Sequence, residues 1–345
     1  MSRVTAASGS HSAPLIDPRR LLVFREVARG GSLSAAAVVL GWTQPAVAQH
    51  IRRLEREVGV PLVTRSPQGV RLTEAGQVLA GHGDAVAARL HAAAEDIAAL
   101  TDLRAGRVRL AAFPSAAATF VPAARALLAR RAPGLQVALT EVEPPEARAL
   151  LAAGDVDLAV SFSYANVPEP TDPRVAAEHL FDEPVRLVLQ LGHPLARHAT
   201  ADLADVTAER WVAGCPRCRA HLQAAASVRG FHPDIRHTTD DYVVTQTLVA
   251  AGLGVALLPA LALAAAPHPG VASVALADDA VRRVDLLQPA GLPLGPGVRA
   301  LRDVLIEEGT ARLRLPSKDH EPAPASPARH APSARLVRHH GNARR

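Results

Sequence analysis

Lysine is nearly missing from this chain: Lys318 is the only one, and every other fixed cationic side chain is arginine. That skew fits codon bias better than function. Aromatic residues make up only 3%, so any core must be built from leucine, valine and alanine, which a hydrophobic content of 48% readily supplies. Cys215 and Cys218 are the only cysteines, too few for a disulfide framework. No apolar run approaches the roughly 20 residues that span a bilayer, so no membrane partner is expected. The start, MSRVTAASGSHSAP, has no apolar signal core, and a cytoplasmic location is the expectation. Nothing resembles a nucleophile elbow or a phosphate loop, which argues against an enzyme.

At 345 residues the chain is long enough for two or three domains. Its net charge of +5 is unevenly spread. Residues 15–75 carry nine arginines against five acids, residues 76–311 carry 20 against 26, and the tail from 312 is strongly basic again. A basic head on an acidic body suits a polyanion-binding module joined to a globular one.

The head has helix punctuation. Asp17-Pro18 supplies a cap and a first-turn proline. Leu21, Phe24 and Ala28 follow at helical spacing, and Gly30-Gly31 stops that helix. Ser32 caps a second helix, expected to bury Ala36 and Val39, and Gly41 closes it. Thr43 opens a third helix as its cap. At 100° per residue, Val47, Ile51, Leu54 and Val58 form a narrow apolar stripe. The opposite face carries Pro45, Gln49, Arg52 and Arg56, flanked by Ala48 and Arg53. A solvated face would carry the same residues, so context decides. Helix, tight glycine turn and polar-faced helix make a helix-turn-helix. Glutamine can then read adenine, arginine guanine, and other arginines can neutralise phosphates. LVTR-SPQG-VRLT follows as two short strands around a Pro/Gly turn, a wing able to reach a minor groove.

Thr73-Glu74 opens a long helix in which Leu79, Val86, Leu90, Ala93, Ile97 and Leu100 share one heptad seam, with Gly83 as its weak position. Such a seam asks for a partner helix, and two heads would match a two-fold DNA site. From Gly106 strands and helices alternate, predicting two α/β lobes with a cleft between them. Ligands in such lobes sit beyond the carboxyl ends of strands. That rule selects Pro114, Ser115 and Ala116 after one strand and Ser161 and Ser163 after another. In the second lobe it selects Gly214 to Cys218, Cys215 included, and Thr238, Thr239 and Asp240. Serine hydroxyls and backbone N–H groups favour a carboxylate or another small polar ligand. The Asp240-Asp241 pair would oppose a strongly anionic one, but the preferred reading of the pair is a helix cap.

FREVARGGSLSAAAVVLGWTQPAVAQHIRRLEREVGVPLVTRSPQGVRLTEAG resembles the head of LysR-type transcriptional regulators, and GDVDLAV, HPLA and AGLGVALLP are further family-like phrases. The resemblance covers about residues 15–308. It implies a multidomain fold: an α-helical winged helix-turn-helix head (15–73), a dimerisation linker helix (74–104), and a two-lobed effector-binding domain (105–308). The two α/β lobes would resemble a type 2 periplasmic binding protein. Lobe I is expected at about 105–182 and 268–308 and lobe II at about 183–267, with disordered ends at 1–14 and 309–345. It further implies sequence-specific binding of double-stranded DNA, a small-molecule co-inducer, no cofactor and no metal. Homodimers or homotetramers through the linker helix are implied partners, and RNA polymerase is a further one. Residues matching the family's DNA contacts are Ser34, Thr43, Gln44, Pro45, Gln49, Arg52 and Arg53, with Arg65, Arg71 and Thr73 on the wing. The chain departs from the pattern at Ala48, where serine is common, and at Val63, where phenylalanine is common.

Other readings stay open. GCPRC is a C-x-x-C at a helix start, where thiol pKa values fall and disulfide exchange becomes possible, so a thiol-redox-responsive regulator is the alternative. A zinc site would need His221, His232 or His237 as well. A solute-binding protein or enzyme could use the same lobes. The Pro-, His- and Arg-rich tail could add unspecific DNA affinity.

Overall fold

A computed structural model describes residues 16–66, 69–101, 106–278, 280–291 and 293–313. The expectations for 1–14 and for the tail beyond 313 lie outside the described residues. The chain begins with α1 (Pro18–Gly30), α2 (Leu33–Leu40) and α3 (Gln44–Val58), then the hairpin β1 (Val63–Ser66) and β2 (Gly69–Leu72). The long α4 (Glu74–Thr101) leads into β3 (Arg107–Ala112), α5 (Pro114–Ala118), α6 (Phe120–Arg131), β4 (Gln136–Glu141), α7 (Pro144–Ala153) and β5 (Leu158–Ser163). Next come β6 (Val175–Gln190), β7 (Thr200–Ala201), β8 (Arg210–Ala213), α8 (Pro216–Val228), β9 (Asp234–Thr238), α9 (Tyr242–Ala250) and β10 (Val255–Pro259). The last elements are α10 (Ala260–Ala265), β11 (Val271–Leu276), β12 (Val281–Pro289) and α11 (Pro296–Leu313).

The head folds as its punctuation dictates. Asp17 accepts from the Arg19 amide and Ser32 from the Ala35 amide, and Gly31, Gly41 and Gly59 close the three helices in the left-handed region. Phe24, Val27, Ala36, Val47, Ile51 and Leu54 form one buried core. Val39 is not part of it: it is 70% exposed, and Ala37 is buried instead. The inward face of α2 is Leu33, Ala36, Ala37 and Leu40, the i, i+3, i+4, i+7 pattern, and Val39 falls outside it.

The apolar seam of α4 is divided between two uses. Its first half packs on the chain's own head. Leu79 is buried there, and Gly83 lies so close to α1 that a Cβ would meet the Arg25 Cβ at 3.3 Å. Farther along, Leu90 and Ile97 are 54% and 63% exposed.

The lobes share one bent sheet with strand order β4-β3-β5-β12-β6-β10-β8-β9. In the first lobe β3, β4 and β5 run parallel, and β12 lies antiparallel between β5 and the first half of β6. The second half of β6 pairs with β10 on one side and β11 on the other, so this single 16-residue strand belongs to both lobes. β11 pairs with residues 186–190 of β6, which places 271–276 in the second lobe rather than the first. The chain returns to the first lobe just before β12, where the Val185 amide donates to the Ala280 carbonyl at 2.8 Å. At the far end α11 continues through residue 313, so residues 309–313 are helical and not part of a tail.

Head, linker and first lobe meet at the end of α7. Arg25 donates to Asp84 and to the Ala153 carbonyl, each at 2.9 Å, and Arg29 grips Asp155 through two bonds. Between them Gly154 has φ +74°, and a Cβ there would stand 2.5 Å from the Ala88 Cβ of α4. Gly154→Ala should therefore cost about 1–3 kcal/mol, through backbone strain and the displaced helix. Urea unfolding checks the loss, and faster proteolysis at the α4–α7 contact is the expected companion result.

Candidate DNA interface and interlobe cleft

The outward face of α3 carries little intramolecular duty: Arg56 Nε donates to the Arg52 carbonyl at 3.3 Å, within the helix itself. Thr43, Gln44, Pro45, Gln49, Arg52, Arg53 and Arg56 are all exposed above the buried Val47, Ile51 and Leu54. Thr43 occupies the cap position, but its hydroxyl makes no cap bond, contrary to the capping role expected of it. The inward polar residues of α3 are structural: Glu55 accepts the Leu62 amide at 2.9 Å and anchors the wing, and Glu57 pairs with Arg20 of α1. Ser34 is exposed on α2 and Arg71 on β2, and Arg65 pairs with Val70 in the hairpin. Thr73 differs from the other expected contacts. Its hydroxyl donates to the Pro61 carbonyl at 2.8 Å and accepts the Gly76 amide at 3.0 Å, so it caps α4 and ties the wing to it. Val63 still packs on the head core without an aromatic ring.

The cleft opens where the chain crosses between lobes, and a small pocket of about 50 Å³ lies there. Its back wall is an ion pair. The Arg282 Nε donates to Glu183 at 2.6 Å, and both side chains are 3% exposed. Arg282 also donates to the Ser115 hydroxyl at 2.8 Å, and its guanidinium lies 4.5 Å from the ring centres of both Phe113 and Phe162. The second oxygen of Glu183 accepts the Leu261 amide at 2.5 Å.

Of the residues selected from strand ends, Pro114, Ser115, Gly214, Cys215, Cys218, Thr239 and Asp240 line this pocket. Ala116 is fully buried in the core behind it. Ser161 and Ser163 line a separate groove with Asp285 and Leu287, because side chains alternate along β5 and it is Phe162 that turns inward. Thr238 is exposed at the end of β9, outside the pocket. Asp241 caps α9, accepting the Val243 and Val244 amides, while Asp240 lines the pocket. Sequence reasoning missed Glu143, Glu183, Arg282, Tyr242 and Thr245. A signal existed for two of them: Arg282 alternates in phase with Val284, and Glu183 with Phe181 and Val185, so each charge sits on a core-facing register.

Thiols and a seam flank the pocket. Cys215 and Cys218 are free, and the Cys215 thiol points at the Cys218 sulfur, 3.3 Å away. The hydrogen bond from Cys215, joined by one from Tyr164, lowers the Cys218 pKa despite burial; the same contact and burial raise that of Cys215. The loop after β5 closes on α8. Tyr164 stacks on His221 at 4.1 Å, Asn166 bonds His221 Nδ1 at 2.7 Å, and Glu169 joins Arg148 of the first lobe to Arg217 of the second. Burial pushes His221 down to about 4, so the seam holds a neutral imidazole near pH 7. Among the described residues no three His, Cys, Asp or Glu side chains converge as a metal site, and no helix is long and apolar enough to cross a membrane.

Two family profiles match the chain in the order of its domains. "Bacterial regulatory helix-turn-helix protein, lysR family" covers residues 18–77, and "LysR substrate binding domain" covers 101–310. The chain belongs to the LysR family. Among its relatives, the HTH-type transcriptional regulator PcaQ of Agrobacterium fabrum is 33% identical over 177 residues, a stretch spanning 51% of this chain and 56% of that protein. Two solved LysR-like folds align along nearly their whole length. A full-length OxyR variant from Pseudomonas aeruginosa has a TM-score of 0.61 at 23% identity, over 86% of this chain and 95% of that one. Full-length CbnR complexed with its target DNA has a TM-score of 0.51 at 22% identity, over 85% and 99%.

Within this LysR-family cleft the ion pair is the element most exposed to mutation. Arg282→Met leaves the Glu183 carboxylate buried without its cation, and should cost about 3–5 kcal/mol. Adding Glu183→Gln, which keeps the acceptor for Leu261, should restore part of that loss. Urea unfolding of the two variants beside the unsubstituted protein checks both values.

Proposed function

We propose that this LysR-family chain is a sequence-specific DNA-binding transcriptional regulator, and that a small molecule held between its lobes sets its DNA binding or activation. The observation that carries the reading is the uncommitted polar face of α3. Gln44, Gln49, Arg52 and Arg53 project from a helix whose other side is locked into the head core. Such a face fits the major groove, with Gln49 and Arg52 toward bases and Arg53 toward phosphate. Ser34, Thr43 and Pro45 would lie at its edge, and Arg65 and Arg71 on the wing would follow the backbone. The exposed run of Leu90, Ala93 and Ile97 on α4 supports pairing with a second copy, which would set two heads on a two-fold site. RNA polymerase is the partner this reading implies at the promoter.

A second reading is favoured by the 3.3 Å separation of the two thiols. A hydroperoxide would take two electrons and two protons from Cys215 and Cys218. The products would be a disulfide, an alcohol and water. Oxidant should then change DNA affinity, and an identical response from a Cys215→Ser variant removes this reading.

Gel shifts with the region upstream of the chain's own gene test the main reading. Gln49→Ala or Arg52→Ala should weaken specific binding by about 1–3 kcal/mol. Arg53→Ala should weaken binding to all sequences alike and flatten its salt dependence. Absence of a specific shift on every genomic fragment overturns the reading.

A further inference from the structure

We propose that the interlobe pocket selects a small organic amine, an apolar body bearing one protonated nitrogen, and rejects carboxylates; this rests on the cleft being the ligand site. The first observation is that the pocket has no cation to offer an anion. Among the described residues lining it, Arg282 is the only one with a fixed positive charge, and that charge is balanced by Glu183. Ser115 takes another of its donors, and Phe113 and Phe162 lie over its plane.

Helix amides, the usual substitute for a cation, are depleted here as well. α5 begins with Pro114, and its Ala116 and Ala117 amides donate to the Phe113 carbonyl. α7 begins with Pro144-Pro145, which have no amide hydrogens, and α8 with Pro216. The Val243 and Val244 amides of α9 are taken by Asp241. A carboxylate would be desolvated beside Asp240, and above about pH 8 beside an ionised Glu143, with no fixed positive charge free to balance it.

The same geometry suits an ammonium group. Glu143 stands at the cap position of α7 but makes no cap bond there. Its carboxyl lines the pocket, and its Oε2 is buried with no hydrogen-bond partner. An N–H⁺ donor would meet that oxygen in a charge-assisted bond. Thr239, Tyr242 and Thr245 offer hydroxyls to its remaining hydrogens, while Leu257 and Ala262 accept an apolar body.

Burial, reinforced by Cys215 and Asp240 and opposed by Arg282, pushes Glu143 up to about 8. Cys218 and Tyr242 are the other titratable groups at the pocket. The empty pocket therefore holds a protonated carboxyl at neutral pH, and a cation must displace that proton. Amine affinity should rise about ten-fold per pH unit up to about pH 8, while the amine itself stays protonated.

Titration calorimetry on the full-length protein with benzylamine, benzyl alcohol and benzoate tests the assignment. The expected result is benzylamine at least roughly ten-fold tighter than benzoate at about pH 8, with proton release on binding below that pH. Glu143→Gln should remove both the amine preference and the pH slope, yet leave benzyl alcohol binding and the unfolding midpoint in place. Benzoate binding as tightly as benzylamine, benzylamine failing to bind, or a pH slope that survives in Glu143→Gln each overturns the proposal. A Thr239→Trp block separates this from failure of the cleft itself. If the block abolishes benzoate binding, the cleft stands and only the amine assignment falls. If ligands bind the blocked protein undiminished, the site lies elsewhere and the cleft reading fails with it.

Discussion

A buried ion pair, Arg282 with Glu183, sits at the crossing between the two lobes. Glu183 sits on β6 just before the chain leaves the first lobe, and Arg282 on β12 just after it returns. Removing both charges from water costs several kcal/mol each, and only close geometry with further hydrogen bonds offsets that. The further bonds are what fix the lobes. One Glu183 oxygen reaches the Leu261 amide at the start of α10 in the second lobe, and one Arg282 nitrogen reaches Ser115 on α5 in the first. A pair placed at the crossing thus fastens a helix from each side. It also settles what the pocket can offer, because a guanidinium held by a carboxylate, a hydroxyl and two rings has little left for a ligand.

The head was legible almost residue by residue. Its helices obey period 3.6, its first two caps are Asp17 and Ser32, and Gly31 and Gly41 end their helices where the punctuation places the stops. The departures are local. Val39 was expected inside because it is apolar, but a helix of two turns buries only one narrow face. The gap at Gly83 was read as weakness in a dimer seam; it is where α1 approaches α4. The alternation of strands and helices foretold the lobes, but not the strand shared between them. A 16-residue β6 interrupted by Pro184 reads as two pieces, because proline in mid-strand argues against continuity.

The cleft was half legible, for a reason that lies in strand periodicity. Strand ends locate a pocket to within a residue or two, and in a strand one residue is the difference between faces. Ser161 and Ser163 were chosen for chemistry, yet Phe162 between them faces the pocket. Ser115 was correctly placed, but its hydroxyl is engaged by Arg282 rather than open to a ligand. Glu143 carries no mark in the sequence that distinguishes it from its acidic neighbours. Only burial separates it from Glu141 and Glu146, which are exposed, and burial comes from the opposite lobe, which no local pattern encodes.

One helix connects what the cleft holds to what the head does. α7 is preceded at its cap position by Glu143, in the pocket, and its last residue, Ala153, leads into Gly154 and Asp155, a junction that Arg25, Arg29 and Ala88 hold. Its ten residues make a rod of about 15 Å. A rod that short does not bend, so a displacement at its pocket end must appear at the head end as translation or tilt. There the contacts are directional. Arg25 and Arg29 lie on α1, and Asp84 and Ala88 lie on α4, so a moved α7 changes how the head sits on the linker before it changes the head itself. Gly154 keeps that joint tight, since any side chain would hold α7 and α4 apart. On the proposed reading, a change in charge or occupancy around Glu143 would reach α3, and the face of Gln49 and Arg52, through this joint.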